Sequence, residues 1–302
     1  QFVAGAVKNG HPENVLEKVW TDWEAFAQYA FNKSHSTCYA YLAYQTAYLK
    51  AHYPGEYMSA VLNHAGSIDK ITFFMEECKR MTIKVLGPDI NESLNGFSVN
   101  KNGEIRFGLG GLKGVGEAAI ETIITERNKS GHFKDMVDFI KRVLSRSVNK
   151  KSLESLAYSG TFDCFPEYHR AQFFHVADGD RTNGLEKLIN YAQALQNINT
   201  GTTNTLFGDL PSAMQVPVPK ITVCEEWTLT EKLDHEKDIT GMFMSGHPLD
   251  HFSFEMRHYQ FTPINDFNEV RDTLSVNLNQ LGRNFKLAGL VTEVQHRMTK
   301  TG

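Results

Sequence analysis

Between two apolar stretches the chain reads Leu112-Lys-Gly-Val-Gly116. Two glycines at this spacing let the backbone turn tightly and present amide groups to a phosphate at the start of a following helix. Lys113 adds a positive charge. Lys113, Gly114, Val115 and Gly116 fit the h-x-G-h-G pattern of a helix-hairpin-helix, which grips a nucleic-acid backbone without reading base sequence; an ordinary glycine-rich turn before a helix is the alternative. Downstream, the run 141–151 carries Lys141, Arg142, Arg146, Lys150 and Lys151 and no acidic residue. It either extends a phosphate-contacting face through Lys150 and Lys151 or is a solvated helix end.

A second cluster is Phe31-Asn-Lys-Ser-His-Ser36. Lys33, His35 and two hydroxyls at an expected helix N-terminus favour an anion, a triphosphate included. The plainer reading is that Ser34 or Ser36 caps the helix and His35 bonds locally. Tyr39, Tyr41, Tyr44 and Tyr48 recur at helical spacing and read mostly as packing. Leu206-Phe207 is an apolar pair in a polar stretch, either a peptide motif held in a partner's pocket or a segment that folds back on its own domain. His247-Pro248-Leu249 with His251 lacks the carboxylates or cysteines of a metal site and reads as a helix end. Cys38, Cys78, Cys164 and Cys224 show neither metal-ligand nor disulfide-framework spacing, which fits a reducing cytoplasm.

The elements that must position these residues are mainly helical. Apolar content of 41% supports a substantial core, and 302 residues suggest two or three domains. A net charge of −4 means that nucleic acid must be met by local patches. There is no apolar run of about 18 residues to span a membrane, and the N-terminus lacks the regions of a signal peptide. Helices are expected from Pro12, over 36–52, from Pro54, and over 68–81, where Ile68, Ile71, Phe74, Met75, Cys78 and Met81 share a face. Ile83 to Leu86 is strand-like, and 96–107 alternates about an Asn102-Gly103 turn, a hairpin signal. A helix with Ile120, Ile123 and Ile124 inward follows, then short helices near 136–143 and 153–158. Residues 197–220, rich in Thr, Asn, Gly and Pro, read as an extended linker. Thr228-x-x-Glu231 is a capping box for a helix running to Gly246, and Phe285 to Val294 reads as a strand. Both ends look cut from a longer polypeptide.

The segments Phe31-Asn-Lys-Ser-His-Ser36, Tyr44-Gln-Thr-Ala47, Leu49-Lys-Ala-His-Tyr-Pro54, Pro88-Asp-Ile90, Leu112-Lys-Gly-Val-Gly-Glu117, Leu206-Phe-Gly208 and Ser245-Gly-His-Pro-Leu249 resemble, in this order, the bacterial DNA polymerase III alpha subunits, the C-family of replicative polymerases. The resemblance implies a multi-domain, mainly α chain. Residues 1–95 would be the C-terminal part of the fingers, 96–262 the helix-hairpin-helix and clamp-binding domain, and 263–302 a connection and the first strand of a truncated OB barrel. It implies that Lys33 and His35 face the incoming nucleotide, that Lys113, Gly114 and Gly116 touch the product duplex, and that Leu206 and Phe207 dock in the sliding clamp. Thr203 stands where the family's clamp motif usually has Gln, so weak clamp binding is expected, and Gln28 and Ala30 replace glycines that usually precede Phe31. The palm carboxylates that hold Mg2+ lie N-terminal to this region in the family. The chain therefore has no expected catalytic residue, metal ligand or cofactor of its own, and its expected partners are primer-template DNA, the clamp and other replicase subunits. A stand-alone helix-hairpin-helix adaptor in repair is the competing reading.

Overall fold

The computed structural model describes residues 1–29, 33–199, 216–273, 284–291 and 294. Helices dominate, and the chain divides into two compact units, Gln1–Met58 and Ser59–Gly302. Among the described residues no helix is long and apolar enough to cross a membrane.

In the first unit α1 (Phe2–Lys8) packs on α2 (Glu13–Tyr29), with the Phe2 ring 4.8 Å from Trp23 and 5.9 Å from Trp20. The Pro12 carbonyl accepts the N–H groups of Val15 and Leu16, so the proline initiates α2 as its fixed φ favours. Next, α3 (Lys33–His52) buries none of its residues. Reading its tyrosines as packing is therefore wrong: Tyr39, Tyr41, Tyr44 and Tyr48 are all exposed, Tyr44 by 69%. Tyr39, Leu42, Tyr44 and Leu49 are spread around the helix and not gathered in one stripe, so a single neighbour cannot cover them. α4 (Pro54–Asn63) begins at the expected proline.

In the second unit α5 (Ile68–Arg80) is capped by Ser67, whose Oγ accepts the Lys70 N–H at 3.3 Å. Ile71 and Met75 pack against the main core. Cys78 is fully buried, which pushes its thiol up to about 11 and makes it an inert core group. β1 (Val85–Leu86), β2 (Ser98–Val99) and β3 (Ile105–Arg106) form a three-stranded sheet in the order β1-β3-β2, with β1 parallel and β2 antiparallel to β3. The hairpin closes where Gly103 takes φ +77° and the Asn100 side chain accepts the N–H groups of Asn102 and Glu104.

A 3-10 turn, Leu109–Gly111, leads to α6 (Glu117–Ser130), α7 (Met136–Val143), α8 (Lys150–Tyr158), α9 (Arg170–Phe174) and α10 (Gly184–Asn199). α7 buries Met136, Phe139, Ile140 and Val143, one stripe at helical spacing. Phe139 meets Phe133 edge-on at 5.0 Å and Phe162 at 5.1 Å. At the start of α8 the Asn149 Oδ1 accepts the Ser152 N–H at 3.1 Å. Asn149→Ala should cost about 1 kcal/mol in urea unfolding, whereas Asn149→Asp, which keeps the acceptor, should cost almost nothing.

The expected linker begins later than its composition suggests, because α10 runs through Asn199; residues 216–220 have no regular structure, and 200–215, with Thr203, Leu206 and Phe207, lie outside the described residues. The chain beyond is tied down by Ile221, which is buried, and by Trp227, stacked 5.5 Å from Phe174. α11 (Leu229–Thr240) has the expected Thr228/Glu231 capping box but stops at Thr240, short of Gly246. Gly241 takes φ +83° and donates its N–H to the Lys237 carbonyl, a left-handed stop that the later Pro248 does not supply. Pro248 instead opens a 3-10 turn, Pro248–Phe252, followed by α12 (Ser253–His258) and α13 (Ile264–Thr273). The strand expected over 285–294 is not formed within 284–291. There the Lys286 carbonyl accepts the Thr262 N–H at 2.7 Å, and an isolated contact is not a ladder.

Candidate nucleic-acid interface

The glycine hairpin is held rigidly from below. Leu112 and Val115 are buried with Ala119 and Ile120 of α6, and the Lys113 N–H donates to the Ile239 carbonyl at 2.9 Å. Gly114 takes φ +88°, and a Cβ there would lie 2.5 Å from the Ser155 Oγ and 3.8 Å from the Lys151 Cε on α8. Gly114 is thus required by the fold itself. Gly116 differs: as the N-cap of α6 it has φ −77° and ψ 155°, which any residue adopts, and a Cβ there would face open space. Among the described residues the N–H groups of Gly114, Gly116, Glu117 and Ala118 have no acceptor. Those of Gly116, Glu117 and Ala118 lie at the positive end of a 14-residue helix, an arrangement suited to a phosphate oxygen.

The basic residues around this hairpin separate into two groups. Lys113, Arg146 and Lys151 are exposed and make no ion pair among the described residues. By contrast, Lys150 donates to Glu186 at 2.6 Å, with Glu154 at 3.7 Å, and holds the Glu186 carboxyl below the usual carboxylate range. Arg142 is bound to Glu126 and Asp138 at 3.0 Å each and covers the Phe133 ring. The uninterrupted basic run of the sequence therefore becomes a narrower surface, Lys113 and Lys151 beside the free amides with Arg146 nearby in sequence.

Internal clamps fix this surface. Arg127 of α6 is buried and donates to the carbonyls of Ile90 at 2.7 Å and Ser93 at 2.8 Å; burial pulls its pKa below the ordinary guanidinium value. Asn91 exchanges hydrogen bonds with the backbone of Phe133, so Pro88-Asp-Ile90 belongs to the scaffold of α6 and α7. Arg170 joins Asp163 to the buried Glu236 of α11, and Gly160, at φ +77°, leaves room for the guanidinium, which a Cβ would meet at 2.1 Å. No sequence motif announces either arginine.

The other candidates stand apart from the hairpin. Lys33 and His35 belong to the first unit and are exposed on the first turn of α3, with His35 4.5 Å from the Tyr39 ring; Phe31 and Asn32 lie outside the described residues. His247 accepts the Leu249 N–H through Nδ1 at 3.1 Å and donates its own N–H to Asp250 at 2.7 Å, so it caps the start of the 3-10 turn and does not end α11, as the sequence suggests it would. Among the described residues no three His, Cys, Asp or Glu side chains gather as metal ligands.

Residues 82–173, which hold the sheet, the hairpin and α6 to α9, match the helix-hairpin-helix motif family. Over its full length the chain is 36% identical to "DNA polymerase III subunit alpha" of Aquifex aeolicus, 36% to that of Vibrio cholerae and 35% to that of Escherichia coli. It covers 23%, 24% and 25% of those proteins, so it spans about a quarter of the length of the curated relatives it matches.

Proposed function

We propose that the chain is a segment of a replicative DNA polymerase of the DNA polymerase III alpha type, and that its own task is to hold the product duplex by the phosphate backbone. The observation that carries this reading is the set of unpartnered amides at the α6 N-terminus between Lys113 and Lys151, within the part that matches the helix-hairpin-helix family. Amides and lysines of this kind contact phosphates and ignore base edges, which suits an enzyme that must move along any sequence. On the same reading Lys33 and His35 contact the incoming nucleotide, and Leu206 and Phe207 engage the sliding clamp. Other replicase subunits complete the assembly in the cytoplasm. Phosphoryl transfer and its Mg2+ belong to the remaining three quarters of the polymerase, so the segment contributes contacts and no chemical step.

The test is a titration of primed-template duplex with the purified chain over a range of salt. Affinity should fall steeply with salt, because phosphate neutralisation releases counterions. Lys113→Ala and Lys151→Ala should each lower the slope of log affinity against log salt by roughly 0.9 and weaken all sequences alike. Lys150→Ala, whose ammonium is already engaged by Glu186, should change the slope less. Salt-independent binding, or none at low salt, would overturn the proposal.

A further inference from the structure

A groove of about 580 Å³ runs beside β1, and none of the hairpin residues 112–116 lines it. Its apolar lining comes from Met75 of α5, Ile83 and Val85 around β1, and Met242 and Phe243 after α11. β1 is an edge strand. The Ile105 N–H donates to the Lys84 carbonyl at 2.9 Å and the Phe107 N–H to the Leu86 carbonyl at 3.0 Å. In a parallel ladder this alternation turns the N–H and C=O of Val85, which is paired with Ile105, toward the free edge. The groove thus combines an apolar lining with unused strand hydrogen bonds.

Its rim is basic although the chain carries net charge −4. Lys79 makes no ion pair among the described residues, Lys237 lies 5.2 Å from the Phe243 ring centroid, and Lys84 reaches Glu104 at 3.5 Å with its side chain 73% exposed. Glu76 is the acidic residue in the lining. We propose that this groove docks an extended, acidic peptide segment of a partner protein, which adds a strand to β1, seats alternate apolar side chains against Met75, Met242 and Phe243, and sets carboxylates against Lys79, Lys84 and Lys237. Backbone pairing supplies affinity and the alternate pockets supply selectivity. Duplex DNA offers neither the backbone donors that the Val85 carbonyl needs nor apolar side chains for the lining.

The experiment pans a random dodecapeptide phage library on the full chain, then measures the enriched peptides, synthesised with a fluorophore, by anisotropy. Enriched peptides should be acidic with apolar residues at alternate positions. Their affinity should fall at least ten-fold for Val85→Pro, which removes the edge N–H and leaves the bonds to β3, and at least ten-fold for the surface pair Lys79→Glu/Lys237→Glu. Circular dichroism checks that both variants fold, and the charge-reversal pair decides if Val85→Pro does not. No enrichment, enrichment without acidic residues, or affinity indifferent to the charge reversal overturns the proposal. Displacement of the peptide by duplex DNA, or a dimer in sedimentation that the charge reversal dissociates, also overturns it, since the occupant would then be nucleic acid or a second copy.

Discussion

Arg170→Leu should lower the unfolding free energy by about 3–5 kcal/mol, the usual cost of removing one member of a buried ion pair. In the native chain the Arg170 Nε and Nη2 hold Asp163 at 2.6–3.0 Å, while Nη1 holds Glu236 at 2.7 Å. Glu236 is fully buried and also accepts the N–H groups of Met244 and Ser245, at 2.9 and 2.8 Å, and the Ser245 hydroxyl. Leucine would leave that carboxylate without its countercharge in a site where water does not reach it. Burial by itself pushes the Glu236 pKa up, but the Ser245 hydroxyl and amide and the Arg170 guanidinium together hold it below the ordinary carboxylate value. A depressed carboxylate stabilises the fold fully above its unfolded pKa, and the contribution is lost as pH falls through the folded pKa. The gap between native chain and variant, measured by urea unfolding at a series of pH values, should therefore be widest above the raised pKa that burial imposes on the unpaired Glu236 of the variant, and should narrow as pH falls from there through the depressed folded pKa of the native chain. A gap under about 1 kcal/mol at neutral pH would mean that the carboxylate is solvated or neutral and that α11 is held by its apolar contacts alone.

That pair also marks where the sequence stops being readable. Arg170 and Glu236 lie 66 positions apart, and each sits in a stretch whose local signals point elsewhere. The run Glu231-Lys-Leu-Asp-His-Glu-Lys-Asp238 looks like a solvated helix face, yet Glu236 has no exposure. Local signals succeed where the cause is local. The helix at 136–143, the turn at Asn102-Gly103 and the Thr228/Glu231 box are each settled within a few residues, and each appears where expected. They fail where the cause is a distant neighbour. Gly160 is glycine because of Arg170, Lys150 is occupied because Glu186 arrives from α10, and among the described residues the strand expected after Phe285 has its one backbone bond to Thr262. The tyrosines of α3 show the converse: helical spacing suggests burial, but spacing alone does not tell which helix faces are covered. At the hairpin the motif was legible, because glycine spacing is local. The division of labour between its glycines was not, since it depends on Ser155 of α8.

That division allows binding to be separated from folding. Gly116→Asp should reduce duplex affinity at least ten-fold, about 1.4 kcal/mol, while leaving the thermal midpoint unchanged or slightly raised. Position 116 is the N-cap of α6, has ordinary extended backbone, and has nothing within 4 Å of a Cβ. Asp is among the best N-cap residues and gains a few tenths of a kcal/mol over Gly. Its carboxylate would accept the free amides of the first turn and so occupy, with like charge, the place where a phosphate oxygen would sit. Gly114→Asp provides the contrast. There a side chain is forced into φ +88° and against Ser155, so stability itself should fall and any loss of binding would carry no information about phosphate contact. The measurement is paired: duplex anisotropy and a thermal melt on the same two variants. Loss of affinity in a Gly116→Asp chain that melts as the native one does assigns the phosphate to the α6 amides. Full affinity in that chain would remove the α6 amides from the interface and leave Lys113, Arg146 and Lys151 as a diffuse basic surface.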